Sequence, residues 1–255
     1  MNIAIHGVCG QMGRTVLQIA QQENKIHNIY GVDIQTGNLE IEVYRNLYDI
    51  PEKVDVIIDF SSPQSLQNML AFAIEKNISI VLATTGFTSK QLAEINEIAK
   101  KIAIFKTANF SIGINVLEYL VEKTANILGN RFDIEIIEKH HNVKKDAPSG
   151  TTYMLAESVK KGFAKDMHFI YGREGIGNVR EKNTIGIHAV RGGTIVGEHE
   201  VLFCGDDEII TLSHSARSKK IFAIGAIQAA LFIHKKEAGL YNMQDILSTL
   251  FDIER

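Results

Sequence analysis

The chain has little cysteine, little proline and no long apolar run. Its 255 residues include only Cys9 and Cys204 as cysteines, too few for a disulfide framework and compatible with a reducing compartment. Three prolines occur, and no stretch rich in Pro, Gly and Ser marks a linker. The most apolar run, 221–233, is shorter than the ~20 residues that a membrane-spanning helix needs, so it predicts a buried helix. The first residues lack the basic and apolar regions of a signal peptide, and we expect a cytoplasmic protein without a membrane partner.

The chain also lacks an excess of positive charge. It has 27 Lys and Arg against 30 Asp and Glu, a net charge of −3, which argues against general attraction to nucleic acid. Hydrophobic residues make up 45% and charged residues 22%, an ordinary composition for a globular protein and not for a disordered one. At ~150 residues per domain, the length predicts one large domain or two modest ones.

The first half alternates segments of strand character with segments of helix character. This alternation is typical of an α/β fold with a Rossmann-like, doubly wound parallel sheet. The predicted strands cover 2–6, 29–34, 54–59, 79–83 and 103–106, and the predicted helices cover 14–22, 63–76 and 89–101.

The second half changes character near residues 110–112. Three extended runs follow one another at 184–190, 194–203 and 208–214, and Gly192 with Gly193 predicts a hairpin between the first two. Clustered strands predict a second α+β domain with a mixed sheet. The remaining predicted elements are a strand over 132–140 and helices over 115–128, from 149–151 onward, over 218–234 and over 243–250.

A glycine-rich loop joins the first strand to the first helix in IAIHGVCGQMGR. Gly7, Gly10 and Gly13 would allow a tight turn and a close approach to a pyrophosphate at the helix N-terminus. Asp33 follows 20 residues after Gly13, where a carboxylate can accept the ribose hydroxyls of an adenosine. The loop therefore predicts a dinucleotide site, although the glycines alone are also compatible with turn chemistry and Asp33 with a solvated turn.

Two further segments follow predicted strands, ATTG at 83–86 and TANF at 107–110. Small residues at the carboxyl ends of parallel strands would leave room for the nicotinamide half of a dinucleotide. Each segment taken alone is also compatible with a plain loop.

The most informative stretch is EKHHNVKKDAPSGT, residues 138–151. His140 and His141 end a strand, a lysine pair follows, and Ser149 with Gly150 begins a helix. A helix start with free backbone N–H groups binds an anion, a nearby lysine strengthens the binding, and histidine donates protons near neutral pH. The stretch therefore predicts an anionic substrate beside an acid catalyst.

Three other interpretations of this stretch stay open. The histidine pair could bind a metal, but neighbouring strand residues point to opposite faces and no third ligand has suitable spacing, so we expect no metal. One lysine could belong to a solvated charge run, and Lys145 is the candidate. Ser149 to Thr151 could be a helix cap alone, although capping requires neither Gly150 nor the lysines.

These motifs together resemble the dihydrodipicolinate reductase family. The resemblance covers nearly the whole chain and includes 7–13, 59–61, 83–86, 108–110, 140–151 and RGGTIVGEHEVLF at 191–203. It implies a dinucleotide-binding domain, 1–111 with 219–255, and a substrate-binding and oligomerisation domain, 112–218, in a homotetramer. It also implies reduction of a small cyclic dicarboxylate in lysine and diaminopimelate biosynthesis, with NADH or NADPH as the cofactor.

The resemblance assigns roles to particular positions. It makes His140 the proton donor and Lys144 a second catalytic group. It places the substrate carboxylates at His141, Lys144, Ser149, Gly150 and Thr151. It places the cofactor at Gly7, Val8, Cys9, Gly10, Gln11, Met12, Asp33, Ala83, Thr84, Thr85, Thr107, Ala108, Asn109 and Phe110.

The residues around Asp33 predict a preference for NADH. The 2′-phosphate of NADPH would lie close to this carboxylate, and Ile34, Gln35 and Gln11 provide no compensating positive charge. Arg14 is the alternative partner for that phosphate. Two other classes of protein are alternatives. One is a sugar oxidoreductase, whose EKP motif is similar to Glu138–Lys139 alone. The other is a nucleotide-sensing regulator, for which no DNA-binding helix pair is evident.

Overall fold

The computed structural model describes residues 1–35, 37, 39–163 and 166–251, without the side chains of the last two. The chain forms two compact units, 1–111 with 220–255 and 112–219. The C-terminal segment thus returns to the first unit, and its last four residues lie outside the described part. Among the described residues, no helix is both long and apolar enough to cross a membrane.

The first unit contains a seven-stranded parallel sheet. Its strands are β1 (Asn2–His6), β2 (Asn28–Val32), β3 (Val43–Tyr44), β4 (Val56–Asp59), β5 (Ser79–Leu82), β6 (Ala103–Lys106) and β12 (Gly239–Tyr241), in the order β12-β6-β5-β4-β1-β2-β3. All four residues of β4 are buried, because helices cover both faces of the sheet.

The described residues of this unit form five α-helices, which are α1 (Gln11–Ala20), α2 (Leu66–Lys76), α3 (Ser89–Ile98), α6 (Lys220–Ile233) and α7 (Met243–Phe251). Helices α2 and α3 bury apolar residues such as Met69 and Ile95 against one face of the sheet. Helices α1 and α6 pack together on the other face. The predicted doubly wound architecture is confirmed.

The second unit contains a mixed five-stranded sheet with helices on one face. Its elements are α4 (Ile112–Leu128), β7 (Asp133–His140), α5 (Gly150–Phe163), β8 (His168–Tyr171), β9 (Thr184–Arg191), β10 (Gly197–Cys204) and β11 (Ile209–Ala216). The strand order is β11-β10-β7-β9-β8, with β9 parallel to β7 and β10 antiparallel to it. Apolar residues of α4 and α5, such as Val121 and Leu155, pack on the inward side chains of the sheet, such as Ile136.

The predicted hairpin at Gly192 and Gly193 is wrong, because β7 lies between β9 and β10. The two glycines do form a sharp turn, but it crosses the end of β7. The Gly192 N–H donates to the carbonyl of His140 at 2.9 Å, and the Asn142 N–H donates to the carbonyl of Gly193 at 3.2 Å. The turn therefore forms its hydrogen bonds with a strand some 50 residues earlier, which local sequence does not reveal.

Smaller differences concern the ends and edges of elements. Helix α1 begins at Gln11 and not at Arg14, and Pro63 opens a short 3₁₀ turn (Pro63–Ser65) before α2. Strand β6 is not the sheet edge, because β12 pairs beyond it. The short strands β3, β8 and β12 were not predicted, since they are two to four residues long.

Candidate active site

The glycine loop of the first unit is packed so closely that side chains are excluded. Gly7 has φ +82°, and a Cβ there would lie 2.7 Å from the carbonyl oxygen of Phe60. A Cβ on Gly13 would lie 2.1 Å from the carbonyl oxygen of Gly7. Gly10 is the N-cap of α1 and supplies no side-chain cap, and the first turn of α1 has no acidic residue. The N-terminal N–H groups and the positive end of the helix dipole therefore suit an anion such as a pyrophosphate.

Asp33 lies beside this loop, directly after β2. Its Oδ2 accepts a hydrogen bond from the backbone N–H of Cys9 at 2.9 Å, and its Oδ1 accepts one from Gln35 N–H at 3.0 Å. Ile34 is 86% exposed. The Nε of Arg14 donates to the carbonyl of Cys9 at 2.9 Å, which holds the guanidinium beside the loop.

Two cavities in the first unit contain most of the predicted cofactor residues. The cavity at Asp33 has a volume of about 320 Å³, and its lining includes Gly7, Cys9, Gly10, Asp33, Ile34 and Ser61. The other cavity has a volume of about 580 Å³ and is lined by Gly10, Gln11, Met12, Phe60, Ser61, Ser62, Pro63, Ala83, Thr84, Thr85, Thr107, Ala108, Asn109, Phe110 and Phe222. Val8 lines neither cavity, because its side chain is fully buried.

The segment directly after β4, residues 60–62, lines both cavities. The sequence indicated this segment only through the family resemblance at 59–61. Asp59 is buried and accepts hydrogen bonds from the hydroxyl and the N–H of Ser61. The Nδ1 of His6 lies 3.0 Å from Asp59 Oδ1. His6 and Asp59 are also paired in the register of β1 and β4. Phe222 was not predicted as a site residue, because it begins an apolar run that resembles core.

In the second unit, β7 brings a histidine and a glutamate together. Side chains alternate along a strand, so Glu138 and His140 face the same side, and both are buried. The Nδ1 of His140 lies 2.5 Å from Oε2 of Glu138. His141 is half-buried beyond the strand end, and its Nδ1 is buried without a hydrogen-bond partner among the described residues.

Arg191 fixes the carboxylate of Glu138 from the neighbouring strand. Its two terminal nitrogens donate to the two carboxylate oxygens of Glu138 at 2.8 and 2.7 Å, and one also donates to the carbonyl of Asp146 at 2.7 Å. The Ser149 N–H donates to Glu138 Oε1 at 3.2 Å. Burial alone would raise the pKa of the Glu138 carboxyl, but the hydrogen bonds from Arg191 and His140 outweigh it and hold the pKa below its ordinary value. Glu138 is therefore an ionised carboxylate near neutral pH.

Ser149 is the N-cap of α5, as predicted. Its Oγ accepts from the Thr152 N–H at 3.2 Å and lies 3.0 Å from Nε2 of His199. His199 is buried and its ring stands edge-on to His140, with ring centroids 5.2 Å apart. Burial, and after it the charge of a protonated His140, lowers the pKa of His199 to about 4. His199 is therefore neutral near pH 7.

The two lysines differ in their surroundings. The Nζ of Lys144 lies 2.8 Å from Asp146 Oδ1 and its side chain is 20% exposed, whereas Lys145 is exposed. Lys144 lowers the pKa of the Asp146 carboxyl below its ordinary value, chiefly through this hydrogen bond. Gly150 is exposed, and a Cβ there would meet nothing within 4 Å, so the space before α5 is open. Thr151 is half-buried in the first turn.

Sequence reasoning did not select Glu138, Arg191 or His199 as site residues. The alternation of β7 could have indicated Glu138, because a charged residue on the buried face of a strand needs a partner. Arg191 lies 53 residues from Glu138, and no local pattern connects them. Among the described residues, no group of three or more His, Cys, Asp or Glu side chains is arranged to hold a metal ion.

Comparison with known proteins identifies the family. Residues 1–110 match the family model "Dihydrodipicolinate reductase, N-terminus", and residues 113–247 match "Dihydrodipicolinate reductase, C-terminus". The chain is 45% identical to the 4-hydroxy-tetrahydrodipicolinate reductase of Caldanaerobacter subterraneus subsp. tengcongensis, over 97% of this chain and 98% of that protein. It is 44% identical to the enzyme of the same name from Clostridium tetani, over 98% of each.

A solved structure has the same fold. It is described as dipicolinate-bound dihydrodipicolinate reductase from Paenisporosarcina sp. TG-14 and superposes with a TM-score of 0.77 at 26% identity, covering 96% of this chain and 99% of that one. The matches to both family models leave almost no part of the chain outside the family. The chain therefore belongs to the dihydrodipicolinate reductase family and is an oxidoreductase that depends on a nicotinamide cofactor.

Proposed function

We propose that the protein reduces 4-hydroxy-tetrahydrodipicolinate, or its dehydrated form, to tetrahydrodipicolinate in lysine and diaminopimelate biosynthesis. Within this family, the observation that carries the proposal is the buried His140–Glu138 pair beside the N-terminus of α5. An acid catalyst and an anion site there match a reaction that adds a hydride and a proton to a dicarboxylate. Both cysteines are unpaired, which supports a cytoplasmic location.

The first unit fits a dinucleotide at residues that the sequence predicted. The glycine loop leaves no room for a Cβ at Gly7 or Gly13, so backbone N–H groups can approach a pyrophosphate. We assign the adenosine half to the cavity at Asp33 and the nicotinamide half to the cavity lined by 83–85 and 107–110. When bound, the reduced cofactor supplies the hydride.

His140 is the proton donor in this proposal. Hydride addition to the conjugated C=C–C=N system of the ring leaves an electron pair on a ring carbon and the nitrogen. The protonated imidazole of His140 then transfers its Nε2 proton to that carbon, forming a C–H bond as the N–H bond breaks. Water afterwards returns a proton to His140, so each turnover uses one hydride and one proton.

The substrate carboxylates are assigned to the segment that begins α5. The N–H groups at Gly150 and Thr151 and the dipole of a 14-residue helix favour an anion there. Lys144 adds a positive charge, and His141 and the Ser149 hydroxyl add hydrogen bonds. Lys144 also acts as a catalytic group, because its charge favours the electron-poor ring during hydride addition.

Turnover of the ring compound by the purified protein tests this function. We expect the absorbance of reduced nicotinamide to fall only when the cyclic substrate is present. Oxidation or reduction of sugars instead would favour the sugar oxidoreductase alternative. Cofactor binding without any turnover would favour the nucleotide-sensing alternative.

We further propose that NADH is preferred over NADPH. Both oxygens of Asp33 already accept backbone hydrogen bonds, so the carboxylate is fixed where a 2′-phosphate would approach. Arg14 uses its Nε on the carbonyl of Cys9, which restricts its reach toward that phosphate. An unpaired contact between phosphate and carboxylate costs about 1–2 kcal/mol after screening, which predicts a preference of ~5–50-fold in kcat/KM.

Steady-state kinetics with both cofactors check this preference, and Ile34→Arg should reduce it by supplying a positive charge. Equal kcat/KM values with NADH and NADPH at low salt would contradict it. Arg14→Ala separates the alternative, since loss of NADPH activity alone would show that Arg14 binds the 2′-phosphate.

We also propose a homotetramer, as the resemblance implies. The outward side chains of β7, including Glu135 and Lys139, are partly exposed along the strand, which leaves a sheet face for assembly. Sedimentation velocity of the purified protein tests this state, and a monomer at micromolar concentration would contradict it.

A further inference from the structure

We propose that Glu138 is a positioning residue for His140, held in place by Arg191, and that it determines which imidazole nitrogen delivers the proton. This inference rests on the proposed function, in which His140 donates a proton to the substrate. Glu138 itself does not contact the reacting atoms in this proposal. It acts through His140.

The ring of His140 is confined on several sides. Its Nδ1 is 2.5 Å from Glu138 Oε2, and the edge-on ring of His199 lies 5.2 Å away between centroids. Beside Nε2 lies Gly197, where an added Cβ would approach Nε2 to 3.0 Å. Space next to Nε2 therefore depends on the missing side chain at position 197, while Nδ1 is fully engaged.

The hydrogen bonds of Glu138 determine the tautomer of His140. Arg191 and the Ser149 N–H donate to the carboxylate, and the low pKa of Glu138 keeps it ionised. An ionised carboxylate only accepts hydrogen bonds, so Nδ1 of His140 must carry a hydrogen in both charge states of the ring. Nε2 is then the nitrogen that gains and loses the proton.

This arrangement balances the proton through one turnover. The imidazolium loses its Nε2 hydrogen to the ring carbon and keeps the Nδ1 hydrogen in its bond to Glu138. Glu138 does not take the proton, because the bidentate Arg191 stabilises its negative charge. The neighbouring titratable groups are His199, which is neutral near pH 7, and the Lys144–Asp146 ion pair.

Strand β7 provides a matched control on its opposite face. Glu135 accepts hydrogen bonds from Arg173 at 2.9 and 2.8 Å and from Nε of Arg180 at 3.2 Å, and it lies 2.7 Å from Nε2 of His188. It is a carboxylate with the same kinds of partners, three residues earlier on the same strand. Glu135→Gln therefore repeats the chemical change of Glu138→Gln away from the proposed site.

The first measurement is the tautomer of His140, read from ¹⁵N chemical shifts of histidine-labelled protein. Signals of His140 are assigned by their loss in His140→Gln. In the neutral ring of the unaltered protein we expect the hydrogen on Nδ1. In Glu138→Gln the amide can donate to Nδ1, so we expect the hydrogen to move to Nε2. Glu135→Gln should leave the His140 shifts unchanged.

The second measurement is turnover. Loss of a carboxylate that orients a functional histidine costs from ~10–100-fold to ~10⁴-fold in activity. The kcat of Glu138→Gln should therefore fall by at least ~10-fold, with KM for the cofactor unchanged within about twofold. Glu138→Asp should recover part of kcat, and Glu135→Gln should retain it while its sedimentation matches the unaltered protein.

Two results would overturn the positioning role. One is a neutral His140 in the unaltered protein with its hydrogen on Nε2, which needs no variant and stands even if Glu138→Gln fails to fold. The other is a folded Glu138→Gln with unaltered kcat. Absence of turnover in the unaltered protein would instead refute the proposed function, and the tautomer shift would still test the link between Glu138 and His140.

Discussion

Two clusters of glutamate, arginine and histidine lie on opposite faces of β7. The inner cluster joins Glu138 to Arg191 and His140. The outer cluster joins Glu135 to Arg173, Arg180 and His188. Their residue types and distances are nearly the same. The clusters therefore show which properties, beyond composition, distinguish a candidate catalytic site from a structural ion pair.

Burial and the choice of histidine nitrogen are the main differences. Glu138 is fully buried, whereas the side chain of Glu135 is 18% exposed. His140 meets its glutamate through Nδ1 and leaves Nε2 beside Gly197, whereas His188 meets Glu135 through Nε2. The outer cluster has two arginines, Arg173 and Arg180, and both belong to the segment between β8 and β9, so the outer cluster connects a loop to the sheet.

The largest expected difference between the clusters is catalytic. His140→Gln should lower kcat by ~10²-fold or more, because loss of a general acid costs 10²–10⁴-fold, with little change in cofactor affinity. His188→Gln is the matched change in the outer cluster and should keep kcat within about twofold. Stopped-flow and steady-state kinetics measure both, and near-native turnover of His140→Gln would mean that the proton comes from another group.

The next expected difference concerns acid stability. The pKa of His199 beside the inner cluster is lowered from 6.5 to about 4, so the unfolded chain binds a proton first as the pH falls between these values. The free energy of unfolding should therefore decrease across this window, by on the order of 3 kcal/mol from this group when complete. The lowered pKa of Glu138 adds a further loss at pH values below its ordinary 4.5.

Urea unfolding between pH 7 and pH 4 at constant ionic strength measures this decrease. His199→Gln should make the dependence above about pH 4.5 shallower, since it removes one group that the unfolded chain protonates. Burial also lowers the pKa of His214 and of His234, so part of the dependence remains in this variant. An unchanged slope in His199→Gln would show that another group causes the loss.

The smallest expected difference concerns the two lysines next to the inner cluster. Lys144→Ala should weaken competitive inhibition by dipicolinate ~10–100-fold, because a charge-assisted hydrogen bond of ~1.5–3 kcal/mol is lost. Lys145 is exposed, and Lys145→Ala should change the inhibition constant less than about twofold. Equal inhibition constants for Lys144→Ala and the unaltered protein would place the carboxylate site away from this loop.

The first unit could be predicted well because its signals are local. Buried β-branched runs such as β4 alternate with segments of helical periodicity. The spacing from Gly13 to Asp33 indicated that Asp33 lies near the glycine loop, and in the structure its carboxylate accepts a hydrogen bond from the N–H of Cys9 in that loop. In the second unit, local sequence brought together only some of the residues of the candidate site. His140 and Ser149 belong to one short segment, but the partners that hold them, Arg191 and His199, arrive from β9 and β10.

The hairpin error has the same origin. Gly192 and Gly193 correctly indicate a turn, but a turn sequence does not determine which strand the chain pairs with after the turn. Here β7 occupies the place between β9 and β10, and this pairing is non-local. Sequence patterns therefore predicted the element types of this unit, but they did not predict the neighbours of each strand.

The central place of β7 has a consequence for local opening. Both of its edges are hydrogen-bonded along nearly its whole length, from Ile134 to Lys139 on each side. Its amide hydrogens can exchange with solvent only when β9 or β10 also separates, so they should be among the slowest in the second unit. Residues 145–147 are exposed and form no strand or helix, so their amide hydrogens should exchange much faster. The proposed proton donor, His140, thus lies at the end of a strand that should resist local opening, and an exposed segment follows it within a few residues.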